Sequence, residues 1–228
     1  EKAHAVGGIV YHDVTERKWA DKGLAAGVDG LIAVNRRAGG HAGPKDVEEL
    51  WKELGGLGVP LICAGGVGDE QHFVEALRIG YAGVQMGTRF IATPECRAVD
   101  EYKDMIVAAN VDDLLVSASI TGTPASWLKP SLIRNGFDVN DMPDKPERNY
   151  DSSRQGPKRW KDVWAAGQGV GAIRAIEPVS VVVDTLAREY ETALARVAAL
   201  SAASKVHSQL TGRNSSRRRK VAPESSCE

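Results

Sequence analysis

Cysteine is scarce in this chain: three in 228 residues, Cys63, Cys96 and Cys227, with no C-x-x-C pair. That spacing excludes a disulfide framework and a zinc knuckle, and it makes a reducing, cytoplasmic setting the expectation. An excess of either charge is lacking too, because 29 Lys and Arg face 30 Asp and Glu. No global field therefore draws nucleic acid or an anionic membrane to the surface. Long apolar runs are missing as well; the stretch around Val181, Val182 and Val183 falls far short of the roughly 18 residues of a membrane helix. No P-loop, H-E-x-x-H or G-x-S-x-G occurs, and no basic-then-apolar leader precedes the first strand-like run at Ala5. What remains is 43% hydrophobic and 26% charged with 24 glycines, the composition of one globular domain.

Short apolar runs alternate with helical segments. Strands are expected over 5–11, 31–34, 59–63 and 82–86, and helices over 16–26, 45–54 and 69–79. Gly27 and Gly80 close two of the helices, and Asp69 caps the start of one. Gly27-Val28-Asp29-Gly30 is echoed by Gly80-Tyr81-Ala82-Gly83 two units later, which marks a repeated βα element. Wholly apolar strands separated by helices imply a parallel sheet covered by helices. Glycine-rich loops after consecutive strands favour the (β/α)8 barrel over an open doubly wound sheet, because barrel sites gather on that face. The expected fold class is therefore α/β of the TIM-barrel type, with four βα units in residues 1–204. A helix is expected over 95–110. An irregular, proline-bearing region over 117–160 reads as a lid, a long helix as running from Pro178 to about 203, and the basic stretch 205–228 as a disordered tail.

Two loops carry the sharpest chemical signal. Gly65-Gly66 and Gly87-Thr88 each follow a barrel strand and precede a helix. Glycines admit an anion close to the backbone, unpaired N–H groups point at it, and Thr88 adds a hydroxyl. One such loop is ordinarily just a tight βα turn; two in adjacent units read as a phosphate cradle. His41, in Ala38-Gly39-Gly40-His41-Ala42-Gly43, sits at the same mouth, where an imidazole beside a cofactor is suited to take a proton from an acidic carbon. A surface or cap-forming histidine is the plain alternative. His12 and Asp13 end the first strand and are weaker candidates for that mouth. Gly167-Gln168-Gly169-Val170-Gly171 lacks the βαβ setting of a dinucleotide fingerprint and reads as close backbone packing. Cys63, inside an apolar strand, reads as an inert core thiol.

Together the motifs resemble a family. Ala38-Gly39-Gly40-His41, Ala64-Gly65-Gly66-Val67, the run from Gly83 to Glu95, Ile120-Thr121-Gly122-Thr123-Pro124-Ala125 and Ala166 to Gly171 are similar, in order, to the motifs of nitronate monooxygenases. The resemblance covers residues 5–200. It implies an FMN-dependent barrel that oxidises alkyl nitronates with molecular oxygen to a carbonyl compound and nitrite. It places FMN on Gly40, Gly65, Gly66, Met86, Gly87 and Thr88, makes His41 the base toward neutral nitroalkanes, and puts Gln168 and His12 on the substrate side, with no metal. The partners implied are a nitronate or nitroalkane and O2, with neither nucleic acid nor membrane, and a homo-oligomer is an open alternative to the monomer. Asp13 stands where several relatives have lysine, and Ala166 where some have serine. The family's amino-terminal half, about four βα units, is not in this sequence. The same glycine and histidine loops also fit an FMN-dependent enoyl-ACP reductase, and a half-barrel without catalysis is a third reading.

Overall fold

The computed structural model describes residues 1–142 and 160–196. The tail 205–228 and the middle of the 117–160 region lie outside the described residues. The chain divides into two compact units, Glu1–Leu186 and Ala187–Glu228. In the second unit, residues 187–196 are helical. Among the described residues no helix is long and apolar enough to cross a membrane.

The first unit opens with the repeated βα pattern. Strands β1 (Tyr11–Val14), β2 (Gly30–Val34), β4 (Leu61–Ala64) and β5 (Gly83–Gln85) form one parallel sheet in the order β1-β2-β4-β5. Helices α1 (Arg17–Ala25), α2 (Val47–Leu54) and α3 (Glu70–Ile79) make the crossovers, and a short α4 (Thr88–Ile91) follows β5. Gly27 takes φ +82 just past α1, a backbone region that favours glycine. Asp69 caps α3 by accepting the His72 N–H at 2.9 Å. At α2 the cap is Asp46, which forms a reciprocal capping box with Glu49. Leu31, Ala33, Leu50, Leu54, Leu61 and Cys63 bury between sheet and helices, and the Tyr81 hydroxyl donates to the Val47 carbonyl inside this core.

Three sequence expectations change. Residues 5–10 are not strand: a 3-10 turn (His4–Val6) ends at left-handed Gly7, and Val6 and Ile9 are 84% and 74% exposed. Among the described residues β1 is an edge strand, with no strand on its far side to pair with a longer extension; Asp29 instead accepts the Val10 N–H at 2.7 Å. The helix expected over 95–110 is α5, only Asp100–Ala108, while residues 179–186 are helical, as expected of the segment that starts at Pro178.

The third change is the largest. The supposedly irregular region contains β7 (Ala125–Leu128) and α6 (Lys129–Arg134). β7 pairs antiparallel with β6 (Leu114–Ser117) and with β3 (Gly40–His41), making a second, three-stranded sheet. All four β7 residues are buried, so no polar alternation announces the strand. Pro124 sits just ahead of it and Pro130 in the first turn of α6, where a missing N–H costs nothing.

Candidate active site

Because β1, β2, β4 and β5 run parallel, their carboxyl ends open on one side. A cavity of about 400 Å³ lies there, lined by Asp13, Val34, the 38–41 and 64–67 loops, Gln85, Gly87, Thr88, Ile91 and Tyr102, with Ala165, Gly167 and Gly169 closing it. That size suits a cofactor or small-molecule site.

The glycine loops are held from behind. Asn35, wholly buried at the end of β2, donates from Nδ2 to the Gly65 carbonyl at 3.0 Å and accepts the Arg37 N–H on Oδ1 at 2.8 Å. Gly65 and Gly66 have φ of +114 and +79. A Cβ on Gly65 would come within 2.7 Å of the Ala38 nitrogen, whereas a Cβ on Gly87 would meet nothing within 4 Å. Gly65 is therefore needed by the fold of its loop, and Gly87 leaves space open in the cavity. Gly39 and Gly167 approach so closely that a Cβ on Gly39 would lie 2.6 Å from the Gly167 nitrogen. Gly169 packs in the same way on Gly68, so Gly167 and Gly169, at the start of a 3-10 turn (Gln168–Ala172), serve close backbone packing, whereas a Cβ on Gly171 would lie 3.0 Å from the Val111 side chain.

The donor set fits a phosphate. The N–H groups of Gly65, Gly66, Gly87 and Thr88 have no hydrogen-bond partner among the described residues. Thr88 Oγ1 accepts the Gly167 N–H at 3.0 Å, which leaves its own proton for an acceptor in the cavity. The space beside Gly87 completes a cradle that a Cβ would fill. Asp13 is the discordant wall residue, a carboxylate lining the same cavity.

His41 lines the cavity from β3, where pairing with Ala125 of β7 fixes its backbone. Its Nε2 lies 3.3 Å from Thr121 Oγ1, and its ring meets Trp160 edge to face, with centroids 5.3 Å apart. Tyr102 stacks on Trp164 and donates its hydroxyl to the Ala165 carbonyl. Burial pushes its phenol up to about 12, so it stays protonated at neutral pH and cannot act as a base there. Burial likewise pushes the Cys63 thiol up to about 11, in keeping with an inert core residue.

Of the residues expected at the site, His41, Gly40, Gly65, Gly66, Gly87 and Thr88 converge on the cavity. His12, Met86 and Gln168 do not. The ring of His12 packs on α1, within 2.8 Å of where a Gly23 Cβ would stand, because its neighbour Asp13 takes the cavity-facing position of β1. Met86 packs into the first core while Gln85 and Gly87, on either side, line the cavity. Both placements follow from the alternation of side chains along a strand. Gln168 contributes an N–H bond to the Arg37 carbonyl at 2.9 Å, and its glycine neighbours form the wall. Asn35, Gln85 and Tyr102 were not singled out in the sequence; the parity of β5 was the available signal for Gln85, and an asparagine ending an apolar strand for Asn35.

The family model for nitronate monooxygenase matches residues 1–189. This chain belongs to the nitronate monooxygenase family. That family is one of flavin-dependent oxidoreductases. Among relatives, a probable nitronate monooxygenase of Staphylococcus saprophyticus is 30% identical over 161 residues, covering 62% of this chain and 45% of that protein. Nitronate monooxygenase npaC of Metarhizium robertsii is 29% identical over 179 residues, 68% of this chain and 50% of its own. A hydroxy-methyl-oxo-octahydroindene-carboxyl-CoA dehydrogenase of Rhodococcus jostii is 33% identical over 135 residues, 59% and 38% of the two chains. The chain thus spans half or less of the length of these relatives. Among solved structures, a FabK mutant from Thermotoga maritima is 25% identical with a TM-score of 0.65, covering 87% of this chain and 64% of that one. A nitroalkane oxidase from Streptomyces ansochromogenes shares the fold at 22% identity and TM-score 0.65, over 85% and 60% of the chains. The nitronate monooxygenase-family fold here is α/β of the (β/α)8-barrel type, present as four βα units with the second sheet appended.

Proposed function

We propose that this chain supplies the phosphate cradle and the proton-accepting base of an FMN-dependent enzyme that oxidises alkyl nitronates with molecular oxygen to a carbonyl compound and nitrite. One observation carries the reading: a single cavity gathers two loops of free N–H donors, the Thr88 hydroxyl and the His41 imidazole. FMN would rest its phosphate on Gly65, Gly66, Gly87 and Thr88, and when bound it supplies the electron-accepting and oxygen chemistry. The residues of the chain orient substrate and move a proton. A neutral nitroalkane must lose its α-proton before it can react as a nitronate, and the His41 imidazole is the group at the mouth suited to accept it, becoming imidazolium as the carbanion's charge spreads onto the nitro oxygens. Tyr102, held neutral and hydrogen-bonded to Ala165, shapes the wall without competing for that proton.

The test is His41→Asn in the complete FMN-loaded barrel, with turnover of a neutral nitroalkane compared with its pre-ionised nitronate. The expected loss is about 100- to 10,000-fold for the neutral substrate and much less for the nitronate, because only the former needs deprotonation. Small, equal losses on both would remove His41 from the role. Anaerobic NADH or NADPH serves as the second arm: rapid bleaching of the flavin would instead favour an enoyl-reductase type of reaction on the same fold.

A further inference from the structure

His41 is held by two residues that the proposed reaction does not otherwise use. Thr121 lies in the turn between β6 and β7, and its hydroxyl is 2.8 Å from the Thr123 carbonyl. A hydroxyl has one proton to give, and the carbonyl, which can only accept, takes it. The same Oγ1 stands 3.3 Å from His41 Nε2. With its proton committed, Thr121 can only accept there, so the imidazole must be the donor.

We infer that Thr121 and Trp160 are positioning residues that fix the neutral His41 ring as the Nε2–H tautomer, so that Nδ1 carries the lone pair. The functional meaning of this assignment rests on the reading of His41 as the base; the tautomer itself does not. Nδ1 has no hydrogen-bond partner among the described residues, so the lone pair faces no competing donor there. Trp160 supplies the second restraint. Its ring meets His41 at an interplanar angle of 85° and lies on the buried Trp127, with centroids 4.6 Å apart. Trp160 also has φ +65, a conformation costly for a bulky side chain, and its ring packs over Gly40, with the nearest atom 3.6 Å from where a Cβ would stand, an ordinary contact distance. The backbone is held in a strained state where its indole rests against the imidazole. The pairing of β3 with β7 brings these groups together, since it sets His41 opposite Ala125, four residues beyond Thr121.

The assignment is read directly by long-range proton–nitrogen correlation on the chain labelled with ¹⁵N-histidine, without flavin or turnover. Five histidines give five patterns, and His41→Asn identifies the one that matters. At alkaline pH, wild type and Thr121→Ser are expected to show the Nε2–H pattern, and Thr121→Val and Trp160→Ala a mixture of tautomers. A predominant Nδ1–H pattern in wild type overturns the inference whatever the variants do, as does an unchanged tautomer in folded Thr121→Val. In the complete barrel, Thr121→Val is expected to lower neutral nitroalkane turnover about tenfold, the worth of one hydrogen bond, with nitronate turnover spared and Thr121→Ser restoring the rate. Failure of the His41→Asn test would remove the base and leave the tautomer result to stand or fall by the spectrum alone.

Discussion

Gly167 donates its backbone N–H to the hydroxyl of Thr88 at 3.0 Å, which ties the 165–169 wall of the cavity to the first residue of α4. The bond settles which way the Thr88 hydroxyl works: it accepts from the wall and keeps its proton for a ligand. Thr88→Val removes both interactions, and Thr88→Ser keeps both. Losing two hydrogen bonds near a charged phosphate is expected to weaken FMN binding by about 10- to 100-fold in the valine variant, with little change in the serine variant. Flavin fluorescence titration checks it; equal affinity of the valine variant would take Thr88 out of the cradle.

Gly65 and Gly87 separate a folding requirement from a binding one. A side chain at Gly65 would strike Asn35 and the Ala38 backbone from a left-handed φ of +114, so Gly65→Val is expected to lower thermal stability severely and lose flavin as a consequence. Gly87→Val meets open space, so the chain should melt near the wild-type temperature while flavin is expelled. Melting curves and flavin absorbance after desalting test the pair. Full FMN retention by folded Gly87→Val would show that the phosphate sits elsewhere.

Asp13 puts a negative charge on the wall of a cavity assigned to a phosphate. Screened by solvent, such a repulsion is worth up to about 1 kcal/mol, so Asp13→Asn is expected to tighten FMN binding by about two- to fivefold at low salt, with the gain shrinking as salt rises. Unchanged affinity at low salt would place the anion farther from β1.

Acid lability should centre on Asp46. Burial pushes its carboxyl up, but the Val47 N–H and the Arg37 and Arg36 guanidinium groups outweigh that and hold it below the usual carboxylate range. A folded pKa below the unfolded value means stability that is present above about pH 4 and lost as pH falls through the folded value. Asp46→Asn keeps the helix cap and removes the charge, so it should cost about 1 kcal/mol at pH 7 and progressively less as pH falls through the folded value. Melting temperature against pH for both proteins decides this; parallel curves would refute it.

How far the sequence spoke can be judged residue by residue. Asp69, Gly27 and Gly80 were legible because capping is local chemistry, and the two glycine loops because a parallel sheet sends every strand end to one side. β7 was not legible: its four residues bury on both faces, and its single bridge to Ala165 and its pairing with His41 are long-range facts. His12 against Asp13 turned on which face of a four-residue strand looked inward, and an edge strand with only Val14 fully buried carries no alternation to decide it. The environment of His41 came from Thr121 and Trp160, which no spacing rule links to it.

The 228-residue chain by itself is expected to bind FMN weakly and to release no nitrite. Among the described residues β1 and β5 are the edges of the parallel sheet, and an edge presents backbone N–H and C=O groups that a closed barrel would pair. Val6 and Ile9, exposed in the segment that leads into β1, add apolar surface, which favours self-association over a stable open sheet. The cradle lies within the four units, so phosphate contacts survive; a substrate held on one side only does not reach the near-attack geometry that catalysis needs. The measurement is nitrite release per bound flavin from the chain with excess FMN, beside the longer Staphylococcus saprophyticus relative, with sedimentation to report the association state. Turnover equal to the relative's from a well-dispersed sample would show that these four units and the second sheet already enclose the reacting centre.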